Sequence, residues 1–360
     1  MNRNLFHNLL FTLSLLTLPA VTQASPPPAP AFSGLPATFI GSDFSPSNGS
    51  LYLKLSLARE EKFTGRFDIP GGSRNVIRGT LDVSGSVSGV TTPSQTPYWL
   101  KVTGSTPSTY VITGSTAGQG FVGLPLAYMK GHSLTQAGTY TAVLEVSGTG
   151  AAPTGFGFGT LHVSKTGATM FAGKLPDGTS FTASSNVVAD GTSAYLLILN
   201  DQSIYNRKGL LTGFLAFQPM GLMGDFTWQK PVTKGPYYPA AFSVSASLTG
   251  FPYSKTVSDV LTSGTMELIG GMLQSSGTLA GFTVSNKRFV FNPPNSLNLK
   301  LSINAATAAV KGSFDFPGTN SKVKLNGLVL QDGTIPVTLG YFRSPIISGS
   351  ASTGFFEALP

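Results

Sequence analysis

The chain has 360 residues, of which 23 are basic and 15 acidic, with 41% hydrophobic but only 11% charged residues, 43 glycines, 25 prolines and no cysteine. A cysteine-free chain has no disulfide, no thiolate metal site and no thiol nucleophile. With 25 Phe and 11 Tyr it has enough apolar surface to fold, which excludes a disordered chain despite the glycine content.

Residues 1–24 read as a secretory signal peptide: Arg3 supplies the positive start, Leu5 to Leu18 the apolar stretch, and Thr22-Gln23-Ala24 a small-residue cleavage site. The stretch is shorter than the ~20 residues of a membrane-spanning helix, and no basic stop-transfer cluster follows it. The expected location is therefore extracytoplasmic, whether periplasm, outer-membrane surface or secreted. Residues 25–31, Pro-rich from Pro26 to Pro30, form a stiff spacer.

Beyond the spacer nearly every segment alternates apolar and polar residues. Leu51, Leu53, Leu55 and Leu57 share one face, with Tyr52, Lys54 and Ser56 on the other; Phe63, Gly65, Phe67 and Ile69 repeat the pattern, as do Ile77, Gly79, Leu81 and Val83. No segment holds a 3.6-residue apolar period long enough for a substantial helix. Asp177-Gly178, Asp190-Gly191 and Asp332-Gly333 mark tight turns. The predicted fold is all-β: antiparallel meanders of tight hairpins, almost without helix outside the signal peptide. They close into two adjacent barrel-like or sandwich units, or into one large sheet.

The segment Ser50 to Leu57 is echoed by Ser296 to Ile303, Gly65 to Gly71 by Gly312 to Gly318, and Asn75 to Val83 by Lys322 to Leu330. The chain thus divides into an N-terminal β-meander unit (32–136), a central Gly/aromatic unit of about eight strands (137–248), and a C-terminal unit resembling the first (249–360). Gly138 to Tyr140, Gly155 to Gly159, Gly173 to Thr179, Gly209 to Phe217, Trp228 to Pro231 and Tyr237 to Ala240 punctuate the middle, and Gly327 to Gln331 the end. In these motifs the chain resembles a family of repeat-built, β-rich extracytoplasmic proteins abundant in Verrucomicrobia and related bacteria. The resemblance implies a surface-associated β structure and carries over no catalytic residue.

Chemistry-bearing residues are sparse. Asp177, Asp190 and Asp332 belong to turns; Asp68 and Asp315 hold equivalent places before Pro-Gly, where a carboxylate can accept backbone N–H groups; Glu60-Glu61 reads as a solvated hairpin tip. Beyond the signal only His132 and His162 occur, without metal-ligand spacing, and no Gly-x-Ser-x-Gly elbow is present, so no catalytic residue, metal or cofactor is expected. Gly155 to Gly159 leads into a strand instead of a helix N-terminus, so it is not a phosphate loop. The basic residues are scattered, which speaks against nucleic acid and for mild affinity toward anionic surface polymers. The candidate ligand-binding residues are Trp99, Trp228, Tyr237 and Tyr238, whose flat faces could stack on sugar rings. The expected function is a non-catalytic exported structural or binding module with cell-surface polysaccharide or envelope proteins as partners. An integral outer-membrane β-barrel is the alternative, and a hydrolase with a spatially assembled Ser/His/Asp site the third reading.

Overall fold

A computed structural model describes residues 37–42, 52–58, 61–68, 74–106, 108–129, 131–146, 152–153, 155–200, 204–254, 261–273, 278–331, 336–348 and 350–360. The expected signal and spacer, Glu60 and the Asp332-Gly333 turn lie outside these residues. The strands fall into three eight-stranded antiparallel sheets, each built from one contiguous stretch of chain.

The first sheet holds β1 (Ala37–Ser42), β2 (Tyr52–Leu57), β3 (Lys62–Asp68), β4 (Arg74–Thr80), β5 (Ser86–Val90), β6 (Pro97–Thr103), β7 (Val111–Thr116) and β8 (Gln119–Pro125). Its order is β4-β3-β2-β1-β8-β7-β6-β5, an up-and-down meander in which first and last strands pair. Val76 of β4 bridges to Thr92, two residues beyond β5, through N···O contacts of 2.7 and 3.0 Å. Across the rest of that seam β4 and β5 are unpaired.

The second sheet is a closed barrel of β9 (Gly138–Val146), β10 (Gly155–Val163), β11 (Ala168–Lys174), β12 (Ser180–Ala189), β13 (Ala194–Asn200), β14 (Leu210–Gln218), β15 (Gly221–Lys230) and β16 (Phe242–Pro252). The third is a closed barrel of β17 (Ser263–Gly270), β18 (Thr278–Ser285), β19 (Arg288–Phe291), β20 (Lys300–Asn304), β21 (Ala309–Asp315), β22 (Lys322–Gln331), β23 (Pro336–Arg343) and β24 (Thr353–Leu359). The all-β fold is therefore as expected, but it closes as three barrel-like sheets and not two or one. A hairpin looks the same wherever it sits in a meander, so sequence periodicity alone does not set the number of closures.

Alternation explains each interior. In β2, Leu53, Leu55 and Leu57 point inward and Lys54 and Ser56 outward, and each sheet encloses its own apolar core. Glycines let strands bend over inward aromatic rings. Gly327 and Gly340 are cross-strand partners in the third barrel, and a Cβ on either would meet the Phe356 ring at 2.8 or 2.6 Å. This inward-apolar, outward-charged arrangement is the inverse of a membrane barrel, whose outer band is apolar, and it corrects the outer-membrane alternative.

Where barrels meet, both faces of a strand are buried. The outer sides of Ile40, Val122 and Leu124 cluster with Val188, Tyr195 and Phe214 between first and second sheets. Between second and third, Val143 and Phe158 cluster with Leu328, Leu330 and Leu339. There Phe158 stacks on Tyr341 (6.0 Å, 28°) and Phe156 meets Phe355 edge-on (5.2 Å, 82°).

The echoing segments share a register. Leu55 lies opposite Gly65 as Leu301 lies opposite Gly312, and Asp68 lies opposite Arg74 as Asp315 lies opposite Lys322. They occupy the second to fourth strands of the first sheet but the fourth to sixth of the third.

Candidate functional site

Trp99 sits on β6, whose pattern sends Tyr98, Leu100 and Val102 inward and Trp99 and Lys101 outward. Pairing with β5 and β7 sets Ser88 on one side of Trp99 and Ser115 on the other. Neither serine is tall enough to cover the indole, so Trp99 remains 46% exposed. It borders an open concavity of about 400 Å³ lined also by Gly89, Pro97, Ala117 and Gly118. Gly118 ends the adjoining hairpin at φ +77°, a left-handed turn position open to solvent.

Lys101 shares the outward face of β6 with Trp99, and Arg74 and Arg78 face outward on β4, across the open seam from β5. Lys62, Arg66 and Lys54 form a separate outward group on β2 and β3, on the far side of the sheet from β6. Lys54 lies directly opposite Arg66. The Arg66 and Arg74 Nε atoms approach the two oxygens of Asp68 at 2.9 and 3.0 Å. Among the described residues Asp68 is engaged by these side chains, the turn that follows it lying outside them, and Asp315 accepts the Asn298 side-chain amide at 2.7 Å. Such surface pairs contribute up to about 1 kcal/mol each.

The other sequence candidates lie elsewhere. Trp228 is 1% exposed in the central core, edge-on to Phe242 at 4.7 Å, which corrects its assignment as a ligand platform. Its indole N–H is buried without a hydrogen-bond partner. Tyr237 and Tyr238 are half-buried and clasp the third barrel. The Tyr237 hydroxyl donates to the Ser344 carbonyl, with the Arg343 guanidinium 5.3 Å from its ring centre. The Tyr238 hydroxyl meets Thr353 Oγ1 at 2.8 Å and accepts its N–H at 3.0 Å. Their roles as free stacking faces are corrected accordingly: both rings belong to a contact between barrels. The four candidates are not brought together.

Polar groups cluster at two further places. At the mouth of the central barrel, the Tyr205 hydroxyl donates to Asp177 Oδ2 at 2.5 Å, and Lys230 Nζ binds Thr233 Oγ1 (2.7 Å) beneath the Tyr205 and Phe242 rings. Burial, then the Asp177 charge, pushes the Tyr205 phenol far up, and burial pulls the Lys230 ammonium down. These groups satisfy one another and hold Tyr205 and Asn206 in left-handed conformations (φ 50° and 55°), a structural plug. At the second junction, burial and then the charges of Glu267 and Glu145 push Glu357 up. His162 is exposed, with Nδ1 3.5 Å from Thr139 Oγ1. Among the described residues no group of three or more His, Asp or Glu side chains could hold a metal.

No family model matches the chain, and no curated protein does. Among solved structures it is similar to the vaccine antigen transferrin binding protein B of Haemophilus parasuis. A double mutant of that protein aligns at 10% identity and a TM-score of 0.25, over 88% of this chain and 66% of that one. A single mutant aligns at 8% and 0.20, over 90% and 76%. Likeness at this level carries neither a fold nor a binding partner over to this chain.

Proposed function

We propose that the chain is an exported, non-catalytic binding module that recognises cell-surface polysaccharide on the outer face of its first sheet. The supporting observation is Trp99, an exposed indole between two serines, beside an open concavity and on the same outward strand face as Lys101. A flat π face packs against the C–H face of a sugar ring, hydroxyls offer hydrogen bonds, and the cations attract uronate or sulfate groups. Among the described residues no Ser, His and carboxylate converge beside Trp99, which supports a binding and not a hydrolytic reading. The extracytoplasmic location belongs to the same proposal and rests on residues 1–24. So does kinship with the Verrucomicrobia-associated β-rich proteins, which the pairing of glycines with aromatic rings supports.

The test is a glycan array of neutral and anionic polysaccharides probed with the whole chain and its Trp99→Ala variant. Binding to anionic glycans is expected, weakened about tenfold by the substitution, the equivalent of roughly 1.4 kcal/mol of lost stacking. Equal signals from both proteins on every bound glycan would refute the site.

A further inference from the structure

We propose that the outward face of β19–β22 is a second binding face for the same class of anionic polysaccharide. This deepens the reading above and rests on it. The positive charge of the chain is concentrated in its outer thirds: residues 32–136 and 249–360 each carry eight basic and five acidic residues, whereas 137–248 carry six and five.

In the third barrel the sheet register again collects that charge. Arg288, Lys300, Lys311, Lys322 and Lys324 are all exposed and lie on four successive strands. Two of them have counterparts in the first sheet. Lys300 corresponds to Lys54, and Lys322 faces Asp315 as Arg74 faces Asp68. The nearest carboxylate on this face, Asp315, is held by Asn298. Serines alternate with the cations across the strands: Ser313 lies between Lys300 and Lys324, and Ser302 between Arg288 and Lys311. Such a chequer of ammonium and hydroxyl groups avoids direct like-charge pairs while presenting both donor types a carboxylated or sulfated sugar uses.

Contact with the central barrel uses the far end of β22, β23, β24 and the turn at Ala305, and leaves the cation-bearing residues of β20–β22 exposed. Nucleic acid fits less well, since β20–β22 set no outward aromatic ring among the cations for bases to stack on. An anionic membrane fits less well too, because the exposed large apolar side chain on these strands is Val290 alone among the described residues.

The experiment is calorimetric titration of the whole chain with a heparin-derived octasaccharide at low salt. Two octasaccharides per chain are expected. The Lys300→Glu/Lys311→Glu/Lys324→Glu variant should retain one, Arg78→Glu/Lys101→Glu the other, and the combined variant none. Glutamine versions of the same sets, with circular dichroism as the folding check, should repeat the pattern and guard against misfolding. One octasaccharide per chain, unaffected by the third-barrel variants, would overturn this inference and leave the first-sheet reading standing. No binding by any version would overturn both. A single-stranded DNA oligonucleotide of equal charge should bind at least tenfold more weakly than the octasaccharide, as should vesicles of anionic phospholipid; equal affinity for either would refute the polysaccharide assignment.

Discussion

The chain has two tryptophans, and the structure gives them opposite environments, so one pair of substitutions tests the barrel packing directly. Trp228 is enclosed beside Phe242, Phe226 and Leu211 within the central core. Truncating it to alanine removes the transfer free energy of the indole and leaves a cavity, about 3–5 kcal/mol for a site of this kind. At about 3 °C per kcal/mol for the second and third barrels unfolding together, their shared transition should drop by about 9–15 °C. Trp99 faces solvent, and Trp99→Ala should change stability by no more than about 0.5 kcal/mol, or about 2 °C. Differential scanning calorimetry reads the transitions. Phenylalanine substitutions provide the second readout: Trp99→Phe should leave a blue-shifted emission protected from iodide, and Trp228→Phe a red-shifted, readily quenched one. A loss under about 4 °C for Trp228→Ala, or equal quenching of the two single-tryptophan proteins, would refute the assignment of inward and outward faces.

Gly340→Ala places a methyl group against the Phe356 ring and the opposite strand, and should destabilise the third barrel by about 1–3 kcal/mol in a urea titration. Phe156→Ala/Phe158→Ala removes two ring pairs worth about 0.5–1.5 kcal/mol each beyond their burial, and should separate the second and third barrels into distinct calorimetric transitions. Glu357 has a raised pKa in the folded protein, so its ionisation opposes folding at neutral pH. Glu357→Gln should raise the melting temperature at pH 7, and the difference should shrink as pH falls and the native carboxyl protonates. Burial raises Asp190, but hydrogen bonds from the Ser193 and Thr192 N–H groups and from the Thr192 and Tyr195 hydroxyls outweigh it and hold the carboxyl at about 2. Its contribution is present above the unfolded value of about 3.9 and is lost as pH falls towards 2, so Asp190→Asn should flatten stability curves across that window.

Strand parity made much of the fold legible. Trp228 shares its parity with Leu222 and Phe226, both inward, and Trp99 shares its parity with Lys101, outward. That signal separates the two indoles, and weighing them only as flat aromatic faces overlooked it. The cation faces were also present in parity, since Lys54, Arg74 and Arg78 all occupy outward positions. Their convergence depends on cross-strand register, which a linear reading of scattered charges does not reveal. The clasp of Tyr237 and Tyr238 on Ser344 and Thr353 spans more than a hundred residues and leaves no local mark. Where alternation breaks down, as from Val337 to Phe342, the sequence does carry a trace: an apolar run marks a strand whose second face meets another barrel.

Each sheet draws all its strands from one uninterrupted stretch, and its single long-range pairing joins the stretch's own ends. A chain folding in order can therefore finish one barrel before the next has been synthesised. Among the described residues no sheet waits for a strand from a later one, and the third barrel closes when β24 docks against β17.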